Sequence, residues 1–194
     1  MLGNGDSRAK FLYSNPEERM KRMNHVYFII TIILWVLCLA FYGMKFAVSD
    51  MKKIVVLIEM VTIIGMGIFN FIAITKPRYT STERFMTLIA SEFIVIFLGI
   101  GISTDANFVV YPLLVILLAM IPFNNRKKLK TFSLIYLAEY ILVLVIRIAT
   151  GMAAVSNVDN MFIYICVPAC MFAIYRCGLI NAQFSEDVNG LNEE

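Results

Sequence analysis

Six apolar stretches of 16 to 23 residues, each closed by a short polar break, take up most of this chain. They run from Val26 to Val48, Ile54 to Thr75, Phe85 to Ile102, Phe108 to Phe123, Thr131 to Thr150 and Met161 to Gly178. A bilayer core is about 30 Å thick and takes roughly 20 apolar residues per helix to cross. The pattern therefore predicts an all-α integral membrane protein, a bundle of six transmembrane helices over residues 26–178. Hydrophobic residues make up 60% of the 194 and charged residues only 16%, outside the usual range of a water-soluble domain. No alternating strand pattern supports a β-barrel, and too little chain is left over for a soluble catalytic domain.

Charge sets the expected orientation. The N-terminal segment, the connection Lys76 to Arg84, the connection Asn124 to Lys130 and Arg176 together hold 13 of the 17 Lys and Arg. By the positive-inside rule this side is cytoplasmic, and with it both termini. A bacterial inner membrane suits the pattern. Residues 1–25 are polar and basic and no small-residue cleavage site follows the first span, so that span reads as an uncleaved anchor. Within this segment Ser14 or Asn15 is placed to cap a helix starting at Pro16, with Glu17 and Glu18 in its first turn. Such a helix would lie at the inner surface with Phe11, Leu12, Met20 and Met23 towards lipid. The external connections are about five to ten residues, too short for an extracellular ligand-binding domain. Ser156, Asn157, Asp159 and Asn160 make the longest of them the most polar, as a solvated turn would be. Cys38, Cys166, Cys170 and Cys177 all fall in spans, where a thiol packs as a small apolar group, and imply no disulfide framework.

Ionisable groups inside a span cost about 2.5 to 3.5 kcal/mol near its centre on insertion scales, so each calls for a partner or a purpose. Four stand out: Glu59, Glu92, Glu139 and Arg147. At 1.5 Å per residue Glu59 and Arg147 both lie about 8 Å from the external face, at a depth that suits an interhelical pair. Glu92 and Glu139 enter from the cytoplasmic side to matching depths of about 10 to 13 Å. Two such carboxylates, if adjacent, would share a proton or a cation. The alternative is that they are protonated and hydrogen-bonded to hydroxyls on facing helices. Pro112, Pro122 and Pro168 interrupt helix hydrogen bonding and predict kinks, and Gly65, Gly67, Gly99 and Gly101 permit close helix approach. The basic run Arg126 to Lys130 is explained by topology; a dedicated anionic-lipid site there would need a pocket beside it.

No Gly-rich phosphate loop, HExxH or Gly-x-Ser-x-Gly is present, so neither catalysis nor a bound cofactor is expected. Basic and aromatic residues do not interleave as a nucleic-acid surface requires, which leaves no nucleic-acid partner. After the sixth span, Ile180, Phe184, Val188 and Leu191 recur at helical spacing and make an amphipathic stripe over residues 179–194. This exit reads as the start of a signalling helix leading to further chain.

The entry Asn15-Pro16-Glu17-Glu18-Arg19-Met20-Lys21-Arg22-Met23-Asn24 and the exit Phe184-Ser185-Glu186-Asp187, with six spans between them, resemble the N-terminal membrane regions of clostridial-type methyl-accepting chemotaxis proteins and of related diguanylate cyclases and sensor kinases. The resemblance implies a sensor or anchor, homodimeric or higher in the bilayer, that serves a cytoplasmic output domain. It carries over no catalytic residue. Six spans in this length are also similar to the integral, substrate-binding subunits of energy-coupling vitamin importers, although the first span here is bulky, with Trp35, Phe41 and Tyr42. A small transporter is thus the alternative, with Glu92 and Glu139 as the groups to test.

Overall fold

The computed structural model describes residues 15–48, 53–103, 111–151 and 158–191. Every apolar stretch is helical where described, and no strand occurs among those residues. The elements are α1 (Pro16–Val48), α2 (Lys53–Ile74), the short α3 (Pro77–Thr80), α4 (Arg84–Ser103), α5 (Tyr111–Met120) with a 3-10 turn (Ile121–Phe123), α6 (Arg126–Ala149) and α7 (Val158–Leu191). Phe11, Leu12, Ser14, Ser156 and Asn157 lie outside the described residues. Asp159 and Asn160, expected in a loop, belong to the first turn of α7.

The ends of the helices follow local chemistry. Asn15 Oδ1 accepts from the amides of Glu17 (3.1 Å) and Glu18 (3.3 Å), which caps α1 ahead of Pro16. Glu17 also pairs with Lys21 at 3.2 Å. From Pro16 onward α1 runs unbroken for 33 residues, and Met20 and Met23 pack on the bundle core rather than turning to lipid. Pro122 falls where α5 tightens into its 3-10 turn, which Asn124 closes in the left-handed region at φ 53°. Pro168, by contrast, lies inside a continuous α7. Having no N–H, it cannot serve the Tyr164 carbonyl one turn back. The Tyr140 hydroxyl on α6 approaches that carbonyl instead, at 3.4 Å.

Around the bundle the helices follow the order α1, α2, α4, α6, α7, α5, and α5 also touches α1, α4 and α6. α4 and α5 therefore form the centre, where Phe85, Met86, Ile89 and Ala90 of α4 and Leu113, Ile116 and Leu117 of α5 are completely buried. The outside is apolar as well. On α2 only Val56, Ile63, Asn70 and Ala73 are buried, while Leu57, Ile58, Val61, Ile68, Phe71 and Ile72 are exposed. A contiguous apolar exterior of this extent suits a lipid solvent and would be an aggregation surface in water. Four segments, Pro16–Met44, Lys53–Ile74, Arg126–Ala149 and Tyr164–Glu186, are long and apolar enough to cross a membrane.

Candidate functional site

Two polar systems stand out against this apolar background, one inside the bundle and one at the end where α4 and α6 begin. The inner one is built around Glu92, buried on α4. Its carboxylate accepts a short hydrogen bond from Asn70 Nδ2 of α2. The Tyr27 hydroxyl of α1 lies within electrostatic range of Glu92. Tyr136 of α6 lies within electrostatic range of both Tyr27 and Glu139. Tyr136 donates to the Ala90 carbonyl of α4 at 2.7 Å. Hydrogen bonds thus tie α4 to α2 through Asn70–Glu92 and to α6 through Tyr136–Ala90. Both bonds are withdrawn from solvent, so a slide of α4 against α2 or α6 strands a polar atom at a cost of about 1 to 3 kcal/mol.

The structure redraws both expected pairings. Glu92 and Glu139 do sit on adjoining helices, but the Glu139 carboxylate comes near the backbone of Leu98. That is six residues, or about 9 Å, further along α4 than Glu92. Equal spacing from the span edge misjudged this, because α6 begins at Arg126, five residues before its apolar run, whereas α4 begins at Arg84, one residue before its own. Neither Glu139 oxygen has a hydrogen bond of good geometry among the described residues. Glu59 and Arg147 form no ion pair with each other, since Glu59 faces α1 and α4 instead. Its Oε1 lies 3.6 Å from where a Cβ on Gly99 would stand. There it lines a small cavity of about 120 Å³ with Tyr42, Thr62, Val95 and Ile96. Arg147 is buried towards the opposite end of α6 from Asn125, within electrostatic range of Tyr140.

The second system is a clamp at the N-terminal ends of α4 and α6. Asn24, buried in α1, donates to the carbonyls of Thr80 (2.8 Å) and Thr82 (2.9 Å) and so fastens the connection that contains α3. From the same connection, Glu83 accepts from Asn125 Nδ2 at 2.6 Å and pairs with Lys128 at 3.1 Å. Lys128 also donates to Thr87 at 2.8 Å. Asn125 Oδ1 caps α6 by accepting from the Lys128 amide at 2.9 Å. Asn124 then reaches α7: its Nδ2 donates to Ser185 Oγ at 2.9 Å, and its Oδ1 accepts from Asn181 at 2.7 Å. Arg126 pairs with Glu186 at 2.7 Å. Below these bonds Gly178 is packed so tightly that a Cβ there would stand 2.1 Å from Leu129 Cδ2. α1, the α2–α4 connection, α6 and the exit part of α7 are thereby joined in one chain of contacts.

Comparisons with protein-family models, curated proteins and solved structures return no match. Within the chain itself, the residues missed from sequence are the neutral ones: Asn24, Tyr27, Asn70, Asn124, Asn125 and Tyr136. Asn70 carried a readable signal, a lone amide inside the run Ile68-Phe69-Asn70-Phe71-Ile72. Asn124 and Asn125 look like ordinary turn residues, and only the fold brings Asn181 and Ser185 to them.

Proposed function

We propose that this chain is the membrane sensor or anchor module of a bacterial signalling receptor. In this reading six helices cross the inner membrane with both termini cytoplasmic, two or more copies associate, and α7 transmits to, or simply localises, a cytoplasmic output domain. The observation that carries it is the grip on α7. Its 34 residues make a helix of about 50 Å, some 20 Å more than a bilayer core. At its emergence it is held by Asn124, Arg126 and the Gly178–Leu129 contact. A helix so clamped passes on a rotation or a piston shift that a loose linker would lose. Ile180 and Phe184, 47% and 66% exposed, lie away from the clamp on the side where a second copy would pair.

Helix phase provides the test. With a reporter fused in register beyond Leu191, inserting one, two or three residues turns the helix by about 100° each, and seven residues restore it to within about 20°. Reporter output should change with the short insertions and recover with seven. Output indifferent to all of them would rule out transmission through the helix and leave only anchoring.

One observation favours the importer reading: the buried Glu139 carboxyl, whose oxygens lack a good hydrogen bond. A small molecule retained through purification and lost on Glu92→Ala or Glu139→Ala would support a transporter or its substrate-binding subunit over a receptor.

A further inference from the structure

A groove of about 240 Å³ opens between α6 and α7 on the outer surface of the bundle. Its walls are Leu134 and Leu137 of α6 and Pro168, Met171 and Phe172 of α7. Ser133, which also lines it, is only 8% exposed, and its hydroxyl has no hydrogen-bond partner among the described residues. Lys130 stands at one end, exposed and without an ion pair among the described residues. Lys127 lies one turn earlier on the same face of α6. From Lys130 to Leu137 the groove extends about 10 Å along the helix. Pro168, which has no N–H to give the Tyr164 carbonyl, lines the end of the groove nearer Leu137.

We propose that this groove binds one anionic phospholipid of the cytoplasmic leaflet, with an acyl chain along Leu134, Leu137 and Met171 and the phosphate at Lys130. The chemistry is complementary at both ends. The apolar floor has the length and polarity of an acyl segment, and the unpaired ammonium sits at the polar rim of the same slot. Ser133 lines the wall between the two, its hydroxyl buried. Charge selects the occupant, since a zwitterionic lipid brings the same phosphate but with it a cation that offsets the attraction to Lys130 and Lys127. The groove separates the helix that leaves the bundle from the helix that grips it, so lipid in this slot would act on the packing of α7. The assignment rests on membrane insertion of the chain and not on the receptor reading.

The experiment uses the full chain. After expression, carbonate extraction of the membranes establishes insertion, and recovery of the chain in the soluble fraction would overturn both the membrane reading and the lipid site. The detergent-purified protein is then titrated with phosphatidylglycerol or phosphatidylcholine of identical acyl chains, and bound lipid is counted by native mass spectrometry. One phosphatidylglycerol should be retained at least fivefold more tightly than phosphatidylcholine. Lys130→Gln should cut that preference about fivefold, the contribution of one basic side chain near an anionic group, by weakening phosphatidylglycerol more than phosphatidylcholine. Leu137→Trp, which fills the slot, should lower retention of both lipids with the helical circular dichroism intact. Equal retention of the two lipids by the native chain, or a preference untouched by Lys130→Gln, would overturn the proposal.

Discussion

Gly178 and Leu129 make the tightest test at the scale of single residues. A methyl group at 178 meets a Leu129 side chain that is itself only 4% exposed, so the leucine has to turn into occupied space. Overpacking of this kind costs about 1 to 3 kcal/mol. Gly178→Ala should lower the melting temperature in detergent, and Leu129→Ala in the same chain should recover part of the loss; strictly additive effects would mean that the two do not touch. Asn70 and Glu92 offer a second test. Asn70→Leu removes the donor to a buried carboxylate and should cost about 1 to 3 kcal/mol, whereas Glu92→Gln preserves a hydrogen-bonding side chain of the same size and should cost less. The reverse order, read from thermal denaturation, would show that the charge of Glu92 matters more than its hydrogen bond. Sequence alone marked Glu92, because an acid in an apolar run is conspicuous, but it passed over Asn70, whose neutral amide is also costly to bury unpaired.

Asn124 decides how the helical elements are joined. Its backbone occupies the left-handed region that ends the α5 turn, while its side chain holds Asn181 and Ser185. Glycine takes that backbone conformation readily, so Asn124→Gly separates the two roles by keeping the turn and releasing α7. Amide hydrogen exchange over residues 178–191 should rise several-fold in this variant while α5 and α6 remain protected. Arg126→Ala, which removes one partly exposed ion pair worth about 0.2 to 1 kcal/mol, should have a smaller effect on the same segment. Exchange unchanged in both would mean that apolar packing alone holds the exit helix. The extents of the helices were largely legible beforehand, since apolar run length and breaker residues mark them. The helix start at Pro16 and the continuation of α7 were readable from Asn15 and from the stripe Ile180, Phe184, Val188 and Leu191; the exception is α6, which begins at Arg126, ahead of its apolar run, where Asn125 caps it.

For the whole molecule, the proposed six-span arrangement predicts which surfaces share a side of the membrane. In a chain with Cys38, Cys166, Cys170 and Cys177 replaced, single cysteines at Ser81, Lys127 and Gln183 should react with an impermeant maleimide only after the cytoplasmic face is opened. One at Gly151 should react in intact cells. Labelling of Ser81 and Gly151 from the same side would exclude the topology. By itself the sequence determined that the chain is helical, apolar and divided into six segments, and it named Glu59, Glu92, Glu139 and Arg147 as the costly groups. Those conclusions depend on composition and on short-range periodicity, which are local. Only the tertiary structure decided that Glu59 faces Gly99 rather than Arg147, that Glu92 and Glu139 are offset along α4, and that Asn124 holds α7. It alone opened a groove at Ser133. Such outcomes depend on which helices adjoin and at what height, and a uniformly apolar exterior leaves no mark in the sequence of which face turns inward.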